Sequence, residues 1–529
     1  MSSKRAWLNA LFTVLFLSLP INATAQDAGF QQGLLQASAN SPAIAEFYQN
    51  HEFAPLWTGN SNKTRWRALM DALGNASAQG LPTASYNAAA LASAYDRARS
   101  PSERGAFEIQ ASQAFLKYAS DVQSGVVNPV TIDPNMTLVP PRRGQRNLLD
   151  AFSKSTPSAF MAALEPRNPD YPRLLNEKIR IEQVIASGGW GAKVSARALK
   201  PGDSGPQVAA MRARLLAMGY GSAGSGTQYD AALEHAVAQF QTDNGLNNDG
   251  VAGTFTLNAI NTSPKQRLVQ VVVGLERLRW LNKPLGRRYI MVNEADFTAT
   301  VIDGGKPVFS TRVVIGKPGR WRTPEFEQMM THLIINPSWF VPGSIAGGEY
   351  LPQLLSNPGV LDRQGIVMTN TAGVVVDPTT VDFTQYSKTN FPFSLRQPPG
   401  DDNALGVVKF MFPNRFSIYL HDTPAKALFA KDIRTYSHGC VRLQDPTGLA
   451  NVLLGAQSAD PQAMFDAYVA AGVEATVGLQ QPVPIYLVYR TAIVGPNNQV
   501  AYRTDAYDVD QKVFAALSKA GVSLGAAGN

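Results

Sequence analysis

Hydrophobic positions recur every three or four residues through the first third of the chain and every second residue through much of the last, so the pattern changes period along its length. From Ala28 to about Ser195 the spacing predicts a mostly helical region, including the alanine-rich stretch from Tyr86 to Arg99. Its aromatic groups, Phe47-Tyr48 and Phe53-Ala54-Pro55-Leu56-Trp57, read as core anchors rather than as a binding surface, because large rings beside proline are usually buried. The cluster Gly188-Gly189-Trp190-Gly191 marks a boundary. After it, Val208, Met211, Leu215 and Met218 form one helical stripe ended by Gly219, and Leu233, Val237 and Phe240 form a second. The turn Asn247-Asn248-Asp249-Gly250 leads to a third short helix carrying Leu257 and Ile260.

From Arg288 the alternation is that of strands: Tyr289 to Asn293, Thr298 to Ile302 and Ser310 to Ile315, with Asp303-Gly304-Gly305 as a hairpin signal between the last two. Between Ser338 and Gly400 that rhythm is lost, then resumes at Val407 to Phe412. A connection of this length is an insertion, expected to act as a lid or separate subdomain. Pro484 to Ala492 predicts another strand and Asp508 to Ala520 a closing helix. The expected architecture is multidomain α+β: a helical region over 26–195, a three-helix unit over 196–263, a mainly β domain over 286–510 with 338–400 inserted, and a C-terminal helix in 511–529.

The first 25 residues stand apart. Lys4 and Arg5 precede an apolar run from Ala6 to Leu19, and Ala23-Thr24-Ala25 has the small-x-small form of a signal-peptidase site, so export is expected, with an uncleaved anchor as the alternative. No later stretch is long and apolar enough to span a bilayer, so no stable membrane span is expected after cleavage. Among 529 residues there is one cysteine, Cys440, which has no partner for an internal disulfide in an oxidising compartment and is therefore a free thiol. The formal charge of +7, or +5 without Lys4 and Arg5, favours an anionic polymer, but no dense basic stripe suggests nucleic acid.

Two of the five histidines lie close to that cysteine in the sequence. In Ile418-Tyr419-Leu420-His421 the alternation puts Tyr419 and His421 on one face of a strand, and Ser437-His438-Gly439-Cys440-Val441-Arg442 begins sixteen positions after His421. A cysteine nucleophile needs a base, donors for a developing oxyanion and a leaving group. His421 supplies the first, with an imidazolium expected to hold the thiolate and lower the cysteine pKa. Gly439 lets the backbone approach a substrate closely, which makes the amides of Gly439 and Cys440 the expected oxyanion donors. Asp445-Pro446 fits an N-cap and first helical residue after this turn. Zinc is the competing use of Cys440, His438 and His421, but there is no second cysteine and the spacing between His438 and Cys440 is not that of a zinc knuckle. No cofactor is expected.

The histidine followed by Ser-His-Gly-Cys and a nearby arginine resembles the catalytic motif of L,D-transpeptidases of the YkuD type. The stretch from Leu199-Lys200-Pro201-Gly202-Asp203 to Ile260-Asn261 resembles a three-helix peptidoglycan-binding domain. Asn336-Pro337-Ser338-Trp339, Asn403-Ala404-Leu405-Gly406 and His421-Asp422-Thr423-Pro424 are similar to the large Gram-negative branch, whose catalytic domain carries a capping subdomain and whose N-terminal region is a helical scaffold domain. This resemblance implies Cys440 as acylated nucleophile, His421 as base, His438 and Gly439 as parts of the oxyanion site, and Arg442, Ser437, Tyr419 and Asp422 as substrate contacts. It further implies a periplasmic enzyme acting on peptidoglycan stem peptides beside peptidoglycan synthases and carboxypeptidases. Its product would be a 3-3 crosslink made through a thioester, with carbapenems acylating the same sulfur. Water, a free D-amino acid or a lipoprotein lysine are the alternative acceptors, and a noncatalytic wall-binding scaffold is the alternative of another class.

Overall fold

The computed structural model describes residues 25–495 and 497–524, so the signal-sequence expectation lies outside the described residues. The chain divides into two compact units, the first made of residues up to 72, 87–118 and 143–161, the second of 73–86, 119–142 and 162–529.

The first unit is helical, and of the aromatic groups picked out above Phe47, Tyr48 and Trp57 lie in its core, whereas Phe53 is only partly buried. Trp57 is fully buried and stacks on Phe152 at a centroid distance of 5.2 Å, with Phe115 and Phe47 also inside. At its centre the carboxylate of Glu108 is fully buried. It accepts from the backbone amides of Leu56, Trp57 and Thr58, from the Thr58 hydroxyl and from the Tyr48 phenol. These donors satisfy oxygens whose burial would otherwise be costly.

In the second unit the three-helix segment comprises Pro206–Ala217, Ala231–Asp243 and Thr254–Asn261 around a common apolar cluster that includes Val208, Met211, Leu233, Phe240 and Ile260. It leads into Pro264–Trp280, a helix the periodicity did not reveal. That helix starts with a Ser263/Gln266 capping box and Pro264, yet it carries no amphipathic stripe because residues 267–280 are buried on every side. Within it Glu276 pairs with Arg279 at 3.2 Å, and Arg277 pairs with Glu325 of the β domain at 2.5 Å.

The β domain begins with β1 (Arg288–Asn293), β2 (Thr298–Asp303), β3 (Lys306–Gly316) and β4 (Phe326–Ile335). The inserted segment contributes β5 (Trp339–Phe340), β6 (Val367–Thr369) and β7 (Ser394–Gln397), a separate three-stranded sheet ordered β5-β7-β6. With short helical turns between Gly343 and Arg363 it surrounds its own apolar cluster, including Tyr350, Leu354, Leu361, Met368 and Leu395. Strands β8 (Val408–Met411), β9 (Leu420–His421), β10 (Thr435–Ser437), β11 (Val441–Leu443) and β12 (Ala475–Val488) complete the main sheet.

The main sheet runs β10-β3-β11-β9-β8-β4-β12-β1-β2, and the additional pairing of β2 with β3 closes it on itself. The β2–β3 hairpin turns at Gly304 and Gly305, whose φ angles of 57° and 79° fit the left-handed pair required by its two-residue turn. Inward residues fill the interior: Ile290, Val292, Val301, Val313, Ile315, Leu333, Phe410, Leu420, Val441, Leu443, Ile485 and Leu487 are all fully buried. Strand β12 starts earlier and ends sooner than the expected 484–492. A register shift between Gly478 and Val483, close to Pro482 and Pro484, interrupts its alternation and hid its first half. The closing helix spans Asp510–Lys519.

Candidate active site

Three neighbouring strands carry the site. β9 pairs in parallel with β11, placing His421 beside Arg442, and antiparallel with β8, placing His421 beside Lys409. Because Phe410, Leu420, Val441 and Leu443 point into the core, the alternating positions Lys409, Tyr419, His421 and Arg442 share the opposite face. Cys440, immediately before β11, joins them beside Tyr419, whose carbonyl accepts from the adjacent Val441 amide at 3.1 Å. The rings of Tyr419 and His421 lie 5.6 Å apart. The thiol itself points to the carbonyl of Ser417 at 3.7 Å.

The Ser417 carbonyl is held in place by a tight turn. Asn414 accepts from the amides of Phe416 and Ile418 and donates to the carbonyls of Phe412 and Ile418, while Ser417 takes a left-handed φ of 56°. On the other side, Ser437 Oγ donates to the Cys440 carbonyl at 2.5 Å and accepts from the Gly439 amide at 3.1 Å. Gly439 has φ of 119°, and a Cβ there would come 3.1 Å from Ile418. Asp445 caps the next helix, Pro446–Leu454, by accepting from the Gly448 amide at 2.8 Å, as its Asp-Pro sequence suggested.

The dyad's electrostatics differ from the expected thiolate and imidazolium. Burial pushes the Cys440 thiol up to about 11, against the opposing effects of Tyr419, Arg442 and Lys409, although the residue keeps part of its surface open to solvent. Burial, reinforced by the Arg442 charge, pushes His421 down to about 3. The resting pair is therefore a neutral thiol and a neutral imidazole. His421 Nδ1 lies 2.5 Å from the Asp422 carbonyl, which fixes the proton on Nδ1 and leaves Nε2 as the basic nitrogen.

Other expected site residues have different employments. Asp422 accepts from the Val407 amide at 3.0 Å and pairs with Lys426 at 2.6 Å, and its carboxylate fills the space beside Gly406 that a Cβ would occupy. It latches the loop before β8. Ser437 is equally committed, to the turn it closes, and the Gly439 amide it binds is not free as an oxyanion donor. His438 is engaged with other groups: Nε2 is 2.6 Å from Glu349 Oε1 and its ring meets Trp321 edge-on at 4.8 Å. Arg442 makes no ion pair among the described residues, and its Nε is buried without a partner. Among the described residues no cluster of three His, Cys, Asp or Glu could hold a metal ion.

Sequence reading missed Lys409, Glu349 and Thr323. Lys409 was the readable one, a polar residue alternating with Val408 and Phe410 in a strand already recognised.

Residues 287–484 match the family described as "L,D-transpeptidase catalytic domain", residues 204–260 that described as "Putative peptidoglycan binding domain", and residues 42–177 the "Scaffold domain". A Haemophilus influenzae protein named "Putative L,D-transpeptidase" is 29% identical over 255 residues, which are 48% of this chain and 51% of that protein. The chain thus spans about half the length of the curated relative it matches. An L,D-transpeptidase structure from Xylanimonas cellulosilytica is 16% identical with a TM-score of 0.17, covering 55% of this chain and 98% of that one. One from Stackebrandtia nassauensis is 14% identical with a TM-score of 0.22, covering 56% and 96%. At these values neither structural likeness contributes to the assignment. Residues 287–484 of this chain are thus similar to the L,D-transpeptidase catalytic domain family, in one polypeptide with segments that match a peptidoglycan-binding domain and a scaffold domain.

Proposed function

We propose that the protein is a periplasmic peptidoglycan L,D-transpeptidase in which Cys440 is acylated by a stem tetrapeptide. The observation that carries the reading is the shared face of β8, β9 and β11, where a free thiol, a neutral imidazole and two cationic side chains, Lys409 and Arg442, stand together. A stem peptide offers both a scissile carbonyl and carboxylates, and the unpaired Arg442 guanidinium suits a carboxylate.

The Cys440 sulfur attacks the carbonyl between the third and fourth stem residues while its proton passes to His421 Nε2. The resulting oxyanion is stabilised by a backbone amide. The tetrahedral adduct collapses with departure of the D-alanine amine, which takes the proton from His421, and a thioester remains. The side-chain amine of a second stem then attacks this thioester, giving a 3-3 crosslink and regenerating the thiol. The segment 338–400 caps this face, with Glu349 as its link to the motif. Export through the N-terminal leader delivers the chain to the cell wall, where the peptidoglycan-binding domain docks it and synthases and carboxypeptidases supply its donor strands.

Muropeptides incubated with the protein are expected to yield 3-3 dimers that disappear in Cys440→Ala. Dimers that persist in that variant would remove Cys440 from its role. Shortened tripeptides without dimers would assign water as acceptor and make the enzyme an L,D-carboxypeptidase, and a lipoprotein peptide captured instead would make it an anchoring enzyme.

A further inference from the structure

We infer that Thr323 is a positioning residue for the nucleophile turn and that Tyr507, from the chain beyond the catalytic-domain match, holds it there. The inference rests on the reading of Cys440 as the acylated nucleophile.

Thr323 is fully buried. Its hydroxyl donates to the Gly439 carbonyl at 2.7 Å and accepts from the Gly316 amide at 2.9 Å. Tyr507 closes the arrangement: its phenol donates to the Gly316 carbonyl at 2.7 Å and accepts from the Thr323 amide at 3.4 Å. Gly316 leaves no slack, since a Cβ there would lie 1.9 Å from the Trp321 carbonyl oxygen. The flanking Arg322 is clamped between Asp133 at 2.8 Å and Glu325 at 2.9 Å, with its guanidinium 5.2 Å from the centre of the Tyr507 ring. Tyr507 is itself fixed, its amide donating to the Tyr489 phenol at 3.0 Å, which donates to Asp505 at 2.8 Å.

The consequence follows from peptide geometry. In a planar trans peptide the C=O and the following N–H point in opposite directions. Holding the Gly439 carbonyl on Thr323 therefore aims the Cys440 amide away from Thr323. The Gly439 amide is already spent on Ser437, while the Cys440 amide has no acceptor among the described residues. Thr323 thus decides where the uncommitted donor next to the sulfur points, and that donor is the one available to an oxyanion forming on a Cys440 adduct.

The test compares two reactions of the same sulfur in the full-length protein. Acylation by meropenem, followed by intact mass, passes through an oxyanion, whereas alkylation by iodoacetamide does not. Thr323→Val keeps the shape and loses the hydroxyl. Its limiting acylation rate is expected to fall about 10- to 100-fold, somewhat less than the loss of a whole oxyanion donor. The meropenem concentration for half-maximal rate and the alkylation rate are expected to change less than about threefold. Thr323→Ser should restore acylation to within about threefold, because the donor returns. Tyr507→Phe should slow acylation more mildly, and adding it to Thr323→Val should cost less than the two effects multiplied, as in a coupled pair.

Acylation unchanged in both single variants would overturn the inference, as would alkylation falling in parallel with acylation, which is the mark of general disruption. If Thr323→Val does not fold, the same two rates in Tyr507→Phe decide. A wild-type protein whose thiol is alkylated but never acylated defeats the transpeptidase reading and this inference with it, whereas normal wild-type acylation beside unaffected variants defeats the inference alone.

Discussion

His438, two residues before the cysteine, meets Glu349 of the inserted segment at 2.6 Å, Nε2 to Oε1. One side chain of the cysteine motif thus contacts an inserted segment that has its own apolar cluster. Both partners are partly exposed, so the contact is a light one. Partly exposed polar contacts of this kind contribute about 0.2–1 kcal/mol. Glu349→Ala is expected to raise amide exchange across 343–356 by about 1.5- to fivefold, the equivalent of that energy. Exchange unchanged in this segment would separate His438 from any part in holding the insertion.

The ionisation of the site predicts an unusual pH dependence for thiol reactivity. With Cys440 at about 11 and His421 at about 3, the thiolate is a minor species through the neutral range and no preformed ion pair exists. The iodoacetamide rate at Cys440 should therefore climb about tenfold for each pH unit between 7 and 10, since thiolate is the reacting form. A plateau above pH 7 would indicate a stabilised thiolate and contradict this picture.

His421→Ala should leave the fold intact and slow acylation about 100- to 10,000-fold, the range for a positioned general base. Stopped acylation assays at pH 7, with circular dichroism as the control for folding, measure this. Equal rates in the variant and the parent would assign the proton transfer to another group.

Arg442→Ala should raise the stem-peptide concentration for half-maximal rate by about tenfold or more, corresponding to a lost charge-assisted hydrogen bond of about 1.5–3 kcal/mol. Its charge also opposes protonation of His421, so the imidazole should titrate higher in the variant. Saturation kinetics and an NMR titration of the ring check the two effects, and a histidine titration that does not move would exclude Arg442 from the electrostatics of the base.

Stability should also carry a pH signature from outside the site. Burial raises Asp510 to about 7, whereas an unfolded aspartate titrates near about 3.9. The folded state then binds more protons than the unfolded chain between these values, so this carboxylate lowers stability as pH rises from about 4 through about 7. Glu294, fully buried with neither oxygen hydrogen-bonded, shifts in the same direction. Asp510→Asn should make the decline of melting temperature from pH 5 to 8 shallower than in the parent, and an identical decline would contradict the assignment.

The sequence by itself determined the order of helical and β regions, the core role of Trp57, the Gly304-Gly305 turn and the Asp445 cap, because each follows from local periodicity or from one residue's backbone preference. It also brought together Cys440 and His421 as candidates, through residue types that are rare in this chain and close along it, and Arg442 through its place in the motif. Tertiary structure decided the rest. The helix from Pro264 to Trp280 was invisible because a segment covered on all sides has no polar face to mark its period. The bulge in β12 concealed half of a strand for a related reason, since it breaks the alternation that identifies one. Protonation states depend on burial and on charges brought in from other strands, so a histidine and cysteine that looked like an ion pair are both neutral in the folded protein. The contacts of Ser437 and Asp422 show the same division, for a polar side chain reveals its chemistry in the sequence, whereas only the packed chain determines which hydrogen bonds consume it.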